Sequence, residues 1–398
     1  MSKPDLHLSD YTYNLPDDRI ARFPEERRDR SKLLHYYKGN ITHHVFSELP
    51  GILGPEDFLI LNNTRVFSAR LFFKKPGGGI AEALLLEPVS GTAEEGMKTT
   101  GQASWRCMLG NARNWKNGSL TVIGSHGGGM LTASRSESDA SVLHLEWHSS
   151  HLTLSEVLQS LGHVPLPPYL RRTDTPADKE RYQTVFAEVE GSVAAPTASL
   201  HFTPGLLSGL RTAGIESTQI TLHVGAGTFL PIKTENISEH EMHSEFAVIT
   251  RQTLSAIINA LQLEKRLIAV GTTAMRTLES IYWAAWYWHY QKTFPEYIEQ
   301  WVWTDKVPEA PLPLLETLHR HMLAADIHSL RLNIALMITP GYTFGLSRGL
   351  ITNFHQPGSS LILLVAAFTG ASWKDIYREA LANDYRFLSY GDGSLILP

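Results

Sequence analysis

From Thr153 to the C-terminus, short apolar runs of strand length alternate with longer stretches of helical period, and this alternation constrains the fold most. "STQITLHV", "RLIAVG" and "IALMIT" read as strands. "PGLLSGLRTAG", "RQTLSAIINALQ", "AMRTLESIYWAAWYW", "SSLILLVAAF" and "WKDIYREALAND" read as helices. Thr153 and Glu156 make a capping-box pattern ahead of Leu154, Val157, Leu158 and Leu161. Thr203-Pro204 starts a helix with a threonine cap and a proline in its first turn. Strands joined by crossover helices predict an α/β sheet.

Residues 69–150 have another texture. "ALLLEP", "SWRCMLG", "SLTVIG" and "VLHLEW" are short β-like runs separated by Gly, Asn and Ser turns such as "GSHGGG" (124–129), with no helical period between them. Before them, "DFLILNNTRV" reads as a buried strand leaving into a loop. The expected fold is therefore α/β: a large mixed-sheet α/β domain interrupted by a smaller β-rich, barrel-like inserted domain. On this reading residues 1–68 and 151–398 form the discontinuous α/β domain and 69–150 the insertion, with a helical excursion at 290–330.

Composition removes several function classes. One cysteine, Cys107, excludes a disulfide framework and any multi-cysteine zinc or iron–sulfur site. No apolar run is long enough for a membrane span, and "MSKPDLHLSD" lacks a signal-peptide core, so a cytoplasmic protein is expected. A net charge of −5 gives no global attraction to nucleic acid. RNA would need local patches, for which "RRDRSK" (27–32), Arg70 with Lys74 and Lys75, and Arg171–Arg172 are candidates.

Chemistry-bearing residues gather in loops after predicted strands. "GSVAAPTASLHFT" delivers His201 to the mouth of a helix. "HVGAGTF" follows a strand at His223, but Phe229 and Pro231 break the dinucleotide fingerprint, so no helix begins there. "EHEMHSEF" sets His243 and Glu245 on one face of an extended segment, a unit suited to proton transfer. In "AVGTTAMRTLES", Thr272 or Thr273 is expected to cap a helix whose free N–H groups and Arg276 suit an anion. "LITNFHQPGSS" carries Asn353 and His355, and "YRFLSYGDGSLI" an exposed-looking turn with Tyr390 and Asp392. Each loop alone reads as a packing corner. Together they are ligand-binding, because sites in open α/β sheets collect at the carboxyl ends of strands.

In order, "YNLPDDRIARFPEERRDRSKLL", "LILNNTRVFSARL", "RYQTVFA", "GSVAAPTASLHFT", "ITLHVGAGTF", "HEMHSEF", "AVGTTAMRTLES", "GLITNFHQPGSS" and "YRFLSYGDGSLI" resemble the S-adenosylmethionine:tRNA ribosyltransferase-isomerase family. The resemblance spans most of the chain outside 290–330. It implies that S-adenosylmethionine is a co-substrate, that no metal is used, and that the partner is tRNA at its anticodon region. The implied reaction moves the ribosyl group of S-adenosylmethionine to an aminomethyl-7-deazaguanine wobble base. Adenine and methionine leave, and the sugar is rearranged to epoxyqueuosine. The implied alternative is a diverged paralogue that binds nucleoside or RNA without the full reaction. A methyltransferase on the "HVGAGTF" turn would use the same cofactor with another outcome. Candidate proton-transfer groups are His201, His223, His243 and Glu245. Candidate substrate contacts are Arg70, Thr272, Thr273, Arg276, Asn353, His355, Tyr390 and Asp392. This chain departs from the usual pattern at Gly358, where many members carry lysine, and at Gly393, where alanine is common.

Overall fold

A computed structural model describes residues 3–112, 115, 118–122, 131–149, 151–225 and 232–398. The "GSHGGG" turn and residues 226–231, most of the glycine-rich turn after His223, lie outside the described residues. The chain divides into two compact units, one of residues 1–63, 184–186 and 196–398, the other of residues 64–183 and 187–195.

The first unit is built on a ten-stranded mixed sheet. Its strands run in the order Tyr297–Ile298, Ser329–Ile334, Glu245–Thr250, Glu216–His223, Asp57–Asn62, Arg266–Val270, Gly349–Asn353, Gly393–Leu397, Lys32–Tyr37 and Asn40–Val45. The middle four, Glu216–His223 through Gly349–Asn353, are mutually parallel. All six residues of Asp57–Asn62 are buried, as expected for a central parallel strand covered on both faces. Leu59, Leu61, Ile268, Val270 and Ile351 pack with Leu206 and Leu210 of helix Pro204–Thr212. That helix begins as its sequence requires, with Thr203 Oγ1 accepting from Leu206 N and Pro204 in the first turn. Helix Thr272–Gln291 is buried along Thr272–Ala285. In the 290–330 segment, helix Pro311–Ala324 packs on it, with His321 stacked on Trp288 at 3.6 Å between ring centroids.

The second unit carries a closed six-stranded antiparallel barrel, in the order Val142–Trp147, Gln102–Gly110, Ile80–Pro88, Arg70–Lys74, Ser119–Val122 and Leu131–Arg135. Alternate side chains fill it, among them Leu71, Phe73, Ala83, Trp105, Ala133 and Leu145, and closure leaves no free edge. Helix Leu154–Leu161 follows with the expected capping box of Thr153 and Glu156.

The mixed sheet and the barrel agree with the fold expected from sequence. Three local readings are corrected. A short helix, Ala93–Met97, interrupts the β-rich stretch, started by a Thr92–Glu95 capping box. The strand expected at "IALMIT" ends at Ile334. Residues 335–338 are buried in irregular backbone that still pairs with the neighbouring segment, Ala335 N donating to Ile298 O and Met337 N to Gln300 O, so the apolar run marks burial beyond the strand's end. The "SYGDG" turn is not exposed, for Tyr390 and Asp392 are both buried.

The two departures from the family pattern have local explanations. Gly358 sits at φ +66°, a left-handed conformation that glycine adopts without strain. A Cβ on Gly393 would lie 2.9 Å from Phe46 Cζ and 3.0 Å from the Thr352 carbonyl oxygen.

Candidate active site

Because the four middle strands are parallel, Asn62, His223, Val270 and Asn353 end on one edge of the first unit's sheet. The antiparallel neighbours begin there, since His223 pairs with Phe246 and Asn353 with Gly393. Glu245, the first residue of its strand, therefore reaches the same edge. Of the sequence candidates, this edge collects His201, His223, Glu245, Thr272, Thr273, Arg276, Asn353 and Asp392, whose carbonyl accepts from Asn353 Nδ2 at 3.4 Å. His243 is exposed in the segment just before Glu245.

His201 closes the turn Thr197–His201 and is buried, its ring stacked on Phe46 at 4.1 Å between centroids. Asn353 Nδ2 lies 3.3 Å from His201 Nε2, while Asn353 Oδ1 accepts from Thr197 Oγ1 at 2.8 Å. An amide nitrogen only donates, so Nε2 accepts and the imidazole proton is on Nδ1. Burial, with Arg386 and Arg28 nearby, pulls its pKa down to about 3. His201 is neutral and enclosed, an arrangement suited to holding the Asn353 side chain.

His223 is half-buried with its ring parallel to that of Phe246, at 6.2 Å between centroids. Asn62 fixes the strand just before it. Asn62 Nδ2 donates to Leu222 O at 3.1 Å, and Leu222 N donates to Asn62 Oδ1 at 3.0 Å. Thr221 Oγ1 donates to Asn63 Oδ1 at 2.7 Å. Neither asparagine was singled out from sequence, where "LNNT" reads as turn formers; their separation of about 160 positions from the strand they hold hides the role.

The expected capping of helix Thr272–Gln291 by Thr272 or Thr273 is corrected. Gly271, at φ +99°, is the N-cap, and no side chain caps the first turn. Both threonines are helical and buried. Among the described residues their hydroxyls have no hydrogen-bond partner. Arg276 and Glu245, both buried, form an ion pair through Nη2 and Oε2. Arg276 Nε is buried and lacks an acceptor.

The remaining candidates hold local structure. His355 is buried, with Thr352 Oγ1 2.8 Å from Nε2 and Tyr377 Oη 3.0 Å from its backbone N, and burial pulls its pKa down to about 3. Asp392 accepts from the backbone N of Lys32 and of Arg386, each at 2.8 Å. Burial pushes its carboxyl pKa up, partly offset by Arg386 and Lys32. Tyr390 is buried in the same turn. Arg70 lies in the barrel, its Nε 3.1 Å from Glu82 Oε1 and its Nη2 donating to Leu166 O at 3.2 Å.

Among the described residues, no group of three or more His, Cys, Asp or Glu is gathered as a metal ion requires, and no helix is long and apolar enough to cross a membrane.

The family described as "Queuosine biosynthesis protein" matches residues 8–396. A curated protein of Desulfitobacterium hafniense, named S-adenosylmethionine:tRNA ribosyltransferase-isomerase, is 38% identical over 98% of this chain and 100% of its own length. A protein of the same name from Rhodospirillum rubrum is 37% identical over 97% of this chain and 96% of its own. One from Anaeromyxobacter is 37% identical over 98% and 99%. A crystal structure described as S-adenosylmethionine tRNA ribosyltransferase from Thermotoga maritima aligns with 97% of this chain and 99% of its own at 26% identity, with a TM-score of 0.47. By the match over nearly its whole length and by its curated relatives, the chain belongs to the queuosine biosynthesis protein family.

Proposed function

We propose that this chain is an S-adenosylmethionine:tRNA ribosyltransferase-isomerase, a transferase and isomerase of queuosine biosynthesis that uses S-adenosylmethionine as co-substrate. The observation that carries this is end-to-end similarity, at 37–38% identity, to proteins bearing that name. Nothing in the fold or in the relatives favours a binding-only paralogue or a methyltransferase.

The finer reading is that the acceptor is the aminomethyl-7-deazaguanine at the wobble position of the anticodon, in the cytoplasm where tRNA is found. The sulfonium makes the C5′ protons of the co-substrate acidic. A base that takes one of them lets adenine leave; the acceptor amine then attacks the sugar, and ring closure expels methionine. The proton-transfer groups are drawn from the candidates His201, His223, His243 and Glu245. His223, half-buried at the strand end, is the member best suited to exchange a proton with a ligand. His201 suits a positioning role through Asn353. Substrate contacts are drawn from Thr272, Thr273 and Arg276 at the sheet edge, with Asn353, His355, Tyr390 and Asp392 shaping the neighbouring loops; Arg70, on the barrel, is proposed as a separate contact to tRNA. The closed barrel supports reading the β-rich segment as an insertion in the α/β chain.

The test is product analysis. Purified protein with S-adenosylmethionine and tRNA bearing the aminomethyl base is expected to release adenine and methionine in equal amounts. S-adenosylhomocysteine as the product would replace this reading with a methyltransferase.

A further inference from the structure

We infer that the Glu245–Arg276 ion pair and the uncapped first turn of helix Thr272–Gln291 form a receptor for a zwitterionic α-amino carboxylate, the methionyl end of the co-substrate. The inference rests on the co-substrate reading above and names which end of that molecule this edge of the sheet takes.

The helix end alone would not carry this. The second observation is Arg276, 6% exposed, with a buried Nε that has no acceptor. A guanidinium has five N–H donors, and leaving one buried and unpaired is unfavourable. Arg276 is the fifth residue of its helix, and helical side chains lean toward the N-terminus, so its guanidinium lies over the first turn. There it joins the first-turn N–H groups, which no side chain caps, and the partnerless hydroxyls of Thr272 and Thr273. All of these groups donate. A carboxylate is the acceptor they fit, bound side-on by Arg276 and end-on by the helix.

Glu245 decides which anion. A phosphodiester brings only negative charge and would meet the Glu245 carboxylate at the same place, in a setting too buried to screen the repulsion. An amino acid brings an ammonium group next to its carboxylate. Glu245 places a buried negative charge beside Arg276, so the ammonium is drawn to it while the carboxylate takes the donors. Two opposite charges then meet two opposite charges, and the buried site keeps its net charge.

The experiment measures dissociation constants of the full chain for S-adenosylmethionine, for its decarboxylated form, and for the analogue lacking the α-amino group. Hydrogen bonds to charged groups are worth about 1.5–3 kcal/mol, so each deletion is expected to weaken binding by about 10- to 100-fold. Arg276→Lys, which keeps the charge and loses the fork, is expected to weaken S-adenosylmethionine by about 10-fold and leave the decarboxylated form bound as in the wild type. Glu245→Gln is expected to do the same for the amino group. The wild-type ligand series does not depend on any variant folding. Decarboxylated S-adenosylmethionine binding as tightly as the parent overturns the proposal. So does an Arg276→Lys variant that keeps cofactor affinity but loses tRNA affinity and salt dependence, which would make the site a phosphate contact. Turnover without carboxylate dependence sinks this inference alone, whereas carboxylate-dependent binding without adenine release sinks the functional reading alone.

Discussion

The Asn353 side-chain amide meets His201 Nε2 at 3.3 Å, which ties the end of a central strand to the turn ahead of helix Pro204–Thr212, and burial keeps the imidazole neutral. With Thr197 Oγ1 on the other end of the amide and Phe46 stacked on the ring, neither side chain has room to turn.

This buried neutrality makes stability fall in acid. His201 and His355 both have folded pKa values pulled down from 6.5 to about 3. Below pH 6.5 the unfolded chain takes up protons that the folded chain refuses, so the contribution is fully present above pH 6.5 and is lost progressively as pH falls toward 3. Each histidine costs about 1.4 kcal/mol per pH unit in that window. Urea unfolding is expected to show stability lower by about 2–3 kcal/mol at pH 5.5 than at pH 7.5 from these two groups. His355→Gln should remove about half of that slope; an unchanged slope would show that the ring is not buried neutral.

Glu279 is fully buried and accepts from Tyr342 Oη and from the backbone N of Gly345, Leu346 and Ser347, at 2.7–3.1 Å. Glu279→Ala is expected to destabilise the protein by about 3 kcal/mol or more, since three buried N–H groups lose their acceptor. Thermal unfolding checks this, and a loss under 1 kcal/mol would mean that the loop finds other partners.

His223 and His201 are expected to separate kinetically. His223→Gln should lower kcat by about 100-fold or more and flatten the pH–rate profile, as loss of a proton-transfer group does. His201→Asn should lower stability with a smaller effect on kcat. Asn62→Ala is expected to follow His223→Gln in kcat while keeping the wild-type pH profile, because it disturbs the strand end and leaves the imidazole in place.

Gly393→Ala tests the crowding against Phe46. A Cβ there would be 2.9 Å from Phe46 Cζ, and Phe46 carries the His201 stack. A loss of about 1–3 kcal/mol is expected, typical of overpacking.

Sequence disclosed what is local or periodic. The caps at Thr153 and Thr203, the helix Arg251–Gln262 and the short barrel strands all follow from residues a few positions apart. Partners far apart in the chain were illegible. Nothing in "HEMHSEF" or "AMRTLES" tells that Glu245 meets Arg276, 31 positions on, and nothing in "LNNT" tells that Asn62 braces Leu222. Burial also escaped the reading at "SYGDG", because polar turn residues look exposed until Asp392 is seen accepting from Lys32 and Arg386.

The most direct test of the account follows two labels on S-adenosylmethionine, one in the ribose and one in the methyl group, in a reaction with tRNA carrying the aminomethyl base. The ribose label is expected to become covalently bound to tRNA while the methyl label leaves in free methionine. Methyl label on the tRNA, with the ribose label released in S-adenosylhomocysteine, would contradict it.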